Sequence, residues 1–327
     1  MSQTTSNTTA FIEAQQYSKF ILDNLPQMML PEGMWRDVSD FGTGTTLNIK
    51  TVGAVTIQDA AEDTPLNYTN IDTGTITLSI TDYIGDAWRV TDDLREDGVQ
   101  IDTLSSMRAM ESTRALAQYH ETRFLAASNS AQTGTNLNLV NAKPRRWVAG
   151  GASAATRVMT MSDFISMKLS FDKADVPETG RIAIVDAGVE ATLNNLTNIV
   201  GVSNNPHFEG IVNEGFAKTH RFVKHIYGWD LYISNRLPVL TASEALNAAA
   251  YNLANDTAEI GDVANIFMCI ADDTCKPIMH AWRRMPKTEG WRDEETRSDK
   301  FQVTSRFGFG AQRTDTLGVI FTNPATY

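Results

Sequence analysis

The chain has 327 residues, enough for one large domain or two ordinary domains with a substantial core. Its hydrophobic fraction of 42% and charged fraction of 20% are typical of a globular protein and argue against intrinsic disorder. With 28 Lys and Arg against 39 Asp and Glu, the net charge is -11. This charge argues against a module that grips nucleic acid, but it allows a container whose wall faces nucleic acid. No run of about 18 apolar residues predicts a membrane span, and the first residues lack the pattern of a secretory signal.

The first part of the chain is predicted to contain a short helix followed by a long hairpin. Residues 9–30 have a helical pattern that is interrupted at Pro26. Apolar residues then alternate with polar ones in two segments, which predicts two strands. The alternating residues are Leu47, Ile49 and Val52 in the first segment and Ile76, Leu78 and Ile80 in the second. The segment between them, Thr56 to Asp72, is polar and rich in turn formers, so we expect a hairpin that reaches beyond a compact domain.

A long helix is predicted over "SSMRAMESTRALAQYHETRFLAAS", residues 105–128, because the segment has no Pro or Gly and is rich in good helix formers. Gly98 and Asp102 precede it as helix-start signals. At 100° per residue, its apolar side chains point in nearly every direction. These side chains are Met107, Met110, Leu116, Tyr119, Phe124 and Leu125. The helix also carries five charged residues, so we expect it to be contacted from several sides.

The rest of the chain alternates between helices and strands in unequal blocks. A helix is predicted to begin after Ser162 or Asp163 and to end at a turn between Pro177 and Gly180. A short buried strand and a helix follow in "RIAIVDAGVEATLNNL", and a strand pair is predicted around Gly228. Residues 264–290 predict two more short strands, and residues 301–322 a final pair. This order indicates an α+β fold.

No group of residues predicts catalysis, a cofactor or a metal. The histidines are spaced unlike zinc ligands, so packed or exposed side chains are expected at His120, His207, His220, His225 and His280. Gly308 and Gly310 lack the remainder of a phosphate loop, and they favour a strand with a bulge or a strand that another backbone approaches closely. Cys269 and Cys275 are expected to be unpaired thiols of a reducing compartment.

Two acidic runs remain open to more than one interpretation. They comprise Asp92, Asp93, Glu96 and Asp97 in the first run and Asp293, Glu294, Glu295 and Asp299 in the second. Carboxylates could bind a cation, but neither run has the spacing of a calcium loop. A solvated face is the simpler interpretation, and polar contacts with a partner chain are the next.

The order of elements resembles that of the tailed-bacteriophage major capsid proteins with the HK97-type fold. The similarity includes the passage from "DYIGDAWRVTDDLRED" into the long helix, the strand and helix of "PETGRIAIVDAGVEATL", and the segments "GWDLYISNRLP" and "FGFGAQRTDTLGVIFT". It extends over nearly the whole chain, although each segment is short. Such a likeness implies a fold and a role, and it does not identify a site.

The resemblance implies an N-terminal arm at 1–42, an extended hairpin loop at 43–90 and a spine helix at about 99–128. The spine helix and the first part of a peripheral domain would occupy 91–180, an axial domain 181–262, and the closing strands of both domains 263–327. Intersubunit contacts are expected from the arm, the hairpin strands and the spine helix. The residues are Phe11, Ile12, Phe20 and Ile21 in the arm, Ile49, Ile76, Leu78 and Ile80 in the hairpin, and Arg108, Glu111 and Arg114 in the helix.

By the same resemblance, the chain would be a structural subunit of an icosahedral phage head and not an enzyme. Copies would form hexamers and pentamers around double-stranded DNA, which the net acidic wall encloses without sequence-specific binding. We expect a portal protein and a separate scaffolding protein as partners, because no room for a scaffolding segment precedes the arm, and the resemblance also allows a decoration protein. Noncovalent shells are expected, since no lysine, asparagine and glutamate set for cross-linking could be matched. Assembly in the bacterial cytoplasm and residence in the virion would follow.

Two other hypotheses are considered. An encapsulin-like compartment shell would have the same fold around a protein cargo. A carboxylate-rich, metal-dependent enzyme would use the two acidic runs and would be a monomer or a small oligomer.

Overall fold

The structure is a computed structural model, and it describes residues 30–31, 33–39, 44–53, 57–59, 62, 70–98, 101–131, 145–150, 156–195, 225–246 and 257–324. The described residues combine helices and strands, which agrees with the predicted α+β class. They divide into two compact units. One contains Asp86–Ala115 and Thr288–Val303, and the other contains the remaining described residues.

Within the part of the chain that the structure describes, four helices and fourteen strands have the following bounds. The helices are α1 (Asp92–Asp97), α2 (Ile101–Ala131), α3 (Met161–Asp172) and α4 (Ala187–Asn195). The strands up to α4 are β1 (Arg36–Asp37), β2 (Thr46–Val52), β3 (Thr73–Ser79), β4 (Asp82–Thr91), β5 (Arg146–Val148) and β6 (Arg181–Val185). The later strands are β7 (His225–Ile226), β8 (Trp229–Ile233), β9 (Glu244–Ala245), β10 (Thr257–Ala258), β11 (Val263–Cys269), β12 (Ile278–Asp293), β13 (Ser298–Ala311) and β14 (Leu317–Thr322).

A six-stranded mixed sheet forms the centre of the larger unit, in the order β5-β14-β11-β6-β8-β7. β11 pairs antiparallel with β14 and β6, whereas β6 pairs parallel with β8. Every residue of β6, β11 and β14 is buried, as expected for strands covered on both faces. Tyr227 and Gly228 have φ of 48° and 85°, the left-handed backbone of a tight hairpin turn between β7 and β8.

The two faces of this sheet are covered by different helices. Successive residues of β6, such as Ala183 and Ile184, belong to two different apolar clusters, because successive side chains of a strand point to opposite faces of the sheet. Phe164 and Met167 of α3 pack in the cluster on one face, with Val189 and Leu193 of α4. Phe124 and Leu125 of α2 pack in the cluster on the other face. The core therefore depends on the C-terminal half of α2.

Short capping interactions fix where α3 and α4 begin. Thr160 is the N-cap of α3, and its backbone N–H and its hydroxyl each lie 2.8 Å from Oδ2 of Asp163. In α4, the N–H of Gly188 donates to Asp186 at 3.0 Å, and the N–H of Asp186 donates to the buried amide of Asn265 at 2.9 Å. α3 thus begins slightly earlier than predicted, because Asp163 stabilises its first turn from within.

The C-terminal half of α2 has a single buried face that includes polar residues. Its buried residues recur at helical spacing: Leu116, His120, Glu121, Phe124, Leu125 and Ser128. Met110 and Tyr119 are exposed by 60% and 38%. The apolar residues lie on several sides of the helix, as the sequence indicates. The face that packs in the core could not be recognised from the apolar residues alone, because it also contains polar residues.

His120 and His280 form a buried pair in the larger unit. Their Nε2 atoms lie 3.0 Å apart, so one imidazole donates and the other accepts. Aromatic rings surround the pair, with His120 stacked on Trp282 and edge-on to Trp35. Burial lowers the pKa of His120 to about 4. The pKa of His280 falls to about 3, first because of burial and then because of His120. The prediction of packed histidines holds for this pair.

β2 and β3 form the antiparallel hairpin that the sequence predicts, with Ile49 opposite Ile76. Gly308 and Gly310 of β13 allow a close approach of the hairpin strand β3. A Cβ at 308 would clash with the carbonyl oxygen of Ser79, and one at 310 would lie 2.7 Å from Cδ1 of Leu78. The predicted close backbone approach is therefore confirmed at Gly308, whereas Gly310 faces a side-chain carbon of Leu78.

Two predicted elements need correction, and one element was not predicted. The unpredicted element is α1, which the acidic segment "DDLRED" forms and Thr91 caps. The second of the two strands predicted within 264–290 has 16 residues and is not short. Strands β13 and β14 belong to different sheets and do not pair with each other, because β13 lies in a four-stranded sheet ordered β1-β12-β13-β4. The predicted arm helix at 9–30 lies outside the described residues, apart from its last residue.

The free energy of unfolding should decrease as the pH is lowered, because of the buried pair of His120 and His280. The unfolded imidazoles take up protons near pH 6.5, whereas the folded ones do so only near 4 and 3. Between these pH values the unfolded state therefore binds more protons than the folded state. The contribution of the pair to the free energy of unfolding is complete above about pH 6.5 and is lost progressively as the pH falls to about 3. Urea unfolding of the full chain at about pH 7 and about pH 4.5 measures the decline.

The test variant combines His120→Gln with His280→Gln, which keep polar atoms near the Nε2 positions. The double variant should reduce the pH dependence between about pH 3 and pH 6.5. An unaltered pH dependence in the double variant would contradict the assignment.

The two strand glycines should differ in their tolerance of a methyl group. Gly308→Ala should reduce the free energy of unfolding by about 1–3 kcal/mol, because the obstacle is the backbone of β3. Gly310→Ala should cost less, because Cδ1 of Leu78 can move to another rotamer. Denaturant unfolding of both variants measures the two reductions in the free energy of unfolding. Equal reductions would show that the close approach of the β3 backbone does not determine the cost of a methyl group at position 308.

Candidate assembly surfaces

The β2–β3 hairpin leaves apolar side chains exposed near its connecting segment. Val52, Ile57 and Ile71 are 72%, 92% and 79% exposed, which is high for such side chains. Their positions lie at or beyond the ends of the paired strands, where Gly53 donates its N–H to the carbonyl of Asp72 at 2.8 Å. The hairpin therefore presents apolar surface that no other described residue of its own chain covers.

The hairpin residues predicted as intersubunit contacts differ in their environments. Leu78 and Ile80 are only 0% and 5% exposed. Leu78 packs in a small cluster with Met279 and Ala281, against which Ile49 and Ile76 are partly buried. The side chains of Leu78 and Ile80 therefore serve the fold of their own chain. Intersubunit contact through the four hairpin residues stays a prediction, and the arm residues Phe11, Ile12, Phe20 and Ile21 lie outside the described residues.

The hairpin residues with the greatest exposure were not among the predicted contacts. Ile57 lies within the segment that the sequence marks as polar, and Ile71 lies near its end. The sequence did contain a signal for such contacts, which was an isolated isoleucine between turn formers. Burial in a predicted strand does not account for an isoleucine at such a position.

The N-terminal half of α2 belongs to the smaller unit and is mostly exposed. Nη2 of Arg108 lies 2.9 and 2.8 Å from the two carboxylate oxygens of Asp86, which also accepts a hydrogen bond from Ser112. Glu111 pairs with Arg114 at 2.7 Å within the helix. The predicted charges of α2 therefore have partners in their own chain, and pairing with a neighbouring subunit stays a prediction.

Two apolar side chains share this exposed half of α2. Leu104 is 51% exposed and Met110 is 60% exposed. Side chains of this size seldom point into solvent from the same helix unless another surface covers them.

The two acidic runs come together in the smaller unit through cations. Arg292 makes hydrogen bonds of 3.1 and 2.7 Å to both oxygens of Asp92, and Arg95 pairs with Asp299 at 2.6 Å. Lys300 pairs with Asp293. These are ion pairs with solvent access, so each contributes little to stability on its own.

The pKa values in this network follow from the pairing. The hydrogen bond from Arg292 lowers the pKa of Asp92, and Arg292 in turn has a raised pKa. The hydrogen bonds from Lys300 and Thr296 lower the pKa of Asp293 to about 2. These carboxylates are therefore ionised at neutral pH and are engaged with neighbouring cations.

Chemistry at these surfaces has no structural support within the described part of the chain. No cluster of three or more His, Cys, Asp or Glu side chains there could hold a metal ion. The thiols of Cys269 and Cys275 are free. No helix among the described residues is both long and apolar enough to cross a membrane.

Comparisons with known proteins agree on a single family. A family model described as phage capsid protein matches residues 72–321, more than half of the chain. No curated protein matches the chain.

Several solved structures with a similar fold are of phages or phage capsids. The capsid of the cyanophage P-SCSP1u matches with a TM-score of 0.70 at 16% identity, covering 95% of this chain and 94% of that one. The mature capsid of bacteriophage PhiM1 matches with a TM-score of 0.69 at 14% identity, covering 94% and 91%. Mycobacterium phage Che8 matches with a TM-score of 0.63 at 16% identity, covering 97% and 98%. At such identities the likeness concerns the fold, and the fold agrees with the HK97 type. By its family match, the chain belongs to the phage capsid proteins.

Proposed function

We propose that this chain is the shell-forming subunit of a tailed-phage head, and that its copies join as hexamers and pentamers to enclose double-stranded DNA. The observation that carries the proposal is the apolar end of the hairpin, with Val52, Ile57 and Ile71 largely exposed. In a monomer these exposed side chains contribute no hydrophobic free energy, whereas an obligate interface of thousands of Å² removes such side chains from water. Membership of the phage capsid family supports the same role.

The partners of the proposed shell follow from its charge and its role. A net charge of -11 disfavours tight binding of DNA, so the genome would be enclosed without sequence-specific contacts. We further propose a portal protein at one vertex, a separate scaffolding protein during assembly in the host cytoplasm, and a decoration protein on the outside. The subunit would act by assembly and not by catalysis, and in the two acidic runs Asp92, Asp293 and Asp299 are already engaged in ion pairs.

The hairpin is tested by adding a charge where we expect apolar contact. Ile71→Asp should abolish assembly into large particles, because burying an unpaired carboxylate in an interface is costly. The unassembled chain should keep its stability, because Ile71 is 79% exposed. Size-exclusion chromatography and electron microscopy give particle size, and thermal unfolding of the unassembled chain gives stability.

Thr75→Asp provides the control, because Thr75 is an exposed polar position of β3, four residues after Ile71. It should allow assembly. Normal particles from Ile71→Asp would refute the hairpin interface. A wild-type chain that never exceeds a small oligomer, even with its scaffolding protein, would refute the proposed function itself.

The exposed half of α2 is tested in the same way at a second place. Met110→Glu should reduce the yield of particles, because a contact that now buries a thioether would have to bury a charge. Thr113→Glu, at another exposed position of the same helix, is the matched control. Particle yield from parallel assembly reactions measures the effect, and equal yields from both variants would exclude Met110 from the interfaces.

A further inference from the structure

Arg145 places a guanidinium in the interior of the larger unit. The residue precedes β5 and is 1% exposed, and its carbonyl accepts a hydrogen bond from the N–H of Val319 at 2.7 Å. Its side chain lies against the last turn of α3, where Nη2 donates to the carbonyl of Ser170 at 3.3 Å. The guanidinium carbon lies 4.9 Å from the ring centre of Phe171. These contacts fix the position of the charge but do not neutralise it.

Three polar atoms at this place have no hydrogen-bond partner among the described residues. They are Nε and Nη1 of Arg145 and Oγ of Ser170, and all three are buried. A buried donor that lacks an acceptor costs about 1–3 kcal/mol, and more when it belongs to a charged group. The N–H groups at Nε and Nη1 of Arg145 therefore require an acceptor. The neighbouring hydroxyl of Ser170 can donate to the same acceptor.

A second buried guanidinium makes the region more positive. Arg181 is 2% exposed, and its guanidinium carbon lies 5.7 Å from the ring of Phe171. Arg181 is fully engaged, since it donates to the carbonyls of Val176 and Pro177 and pairs with Asp172 at 2.7 Å. The carboxylate of Asp172 thus offsets Arg181, and the charge of Arg145 remains.

The charge of Arg145 persists at neutral pH. Burial lowers the pKa of Arg145 to about 10, and the positive charge of Arg181 acts in the same direction. Asp315 opposes these effects but is exposed to solvent. A cation that stays protonated in the interior is stabilised by acceptors for its free N–H groups and most strongly by an opposite charge close to it.

We propose that Arg145 and Ser170 bind a small monovalent inorganic anion, of the size of chloride, inside the folded subunit. The anion would accept hydrogen bonds from the free donors of Arg145 and from the hydroxyl of Ser170. A small ion is favoured because Arg145, Ser170, Phe171 and Arg181 are all at most 2% exposed, which leaves no opening for a larger group. This site concerns the stability of the single subunit and does not depend on the proposed role in a shell.

The experiment measures thermal unfolding of the unassembled full-length chain as chloride replaces gluconate at constant ionic strength. A ligand that binds only the folded state raises the midpoint with its concentration, so we expect about 2 °C or more per tenfold rise in chloride above Kd. Arg145→Met should abolish this dependence, and Ser170→Ala should weaken it. Arg89→Met removes an exposed arginine and should retain the full dependence.

Crystals grown in bromide provide a second readout, which remains available if Arg145→Met does not fold. An anomalous bromide peak beside Arg145 in the wild type, with a weaker one in Ser170→Ala, supports the proposal. A midpoint that does not respond to chloride, an equal response in Arg145→Met, or a water without an anomalous signal beside Arg145 would overturn it.

Discussion

The packing of α2 in the larger unit depends on the buried carboxylate of Glu121. Glu121 is 6% exposed and accepts hydrogen bonds from the backbone of Leu30 at 3.3 Å, the hydroxyl of Ser234 at 2.9 Å and the guanidinium of Arg236 at 3.0 Å. Three separate segments of the chain thus meet at one charged group. Removing that group would leave the Arg236 side chain, only 15% exposed, without this partner, and breaking a buried pair in this way costs about 3–5 kcal/mol. Phe124 and Leu125 follow Glu121 by three and four residues on the same buried face of α2 and pack in the core beside this pair.

The sequence predicted those parts of the fold whose pattern is local. Alternation predicted β2 and β3, the apolar run predicted β6, and the pair of glycines predicted a close backbone approach. The buried face of α2 could not be predicted, because Glu121 counts as a surface residue until its partners are known. Those partners lie 91, 113 and 115 positions away in the chain, and no local period indicates them.

The candidate sites show the same division between local and distant information. Each acidic run was visible in the sequence, but the runs meet through Arg292 and Arg95, whose partners lie 200 and 204 positions away. Without that pairing, a run of carboxylates is consistent with a metal site, a solvated face or an interface. The structure shows carboxylates held by cations, and this weakens the metal interpretation on chemical grounds. The likeness in element order was more informative for function than any residue, because a capsid role requires surfaces and not a catalytic group.

The two halves of α2 illustrate how folding and assembly draw on one element. Residues from Leu116 onward belong to the larger unit and supply part of its core, whereas the residues up to Ala115 belong to the smaller unit and keep Leu104 and Met110 exposed. Exposed ion pairs such as Arg108 with Asp86 supply little free energy. A net charge of -11 per chain opposes association, and salt screens that repulsion. The free energy that holds copies together must therefore come mainly from apolar surface, at about 25 cal/mol per Å² buried. On this argument the exposed apolar residues of the hairpin and of α2 determine the cohesion of a shell, and the charges determine how strongly its assembly depends on salt.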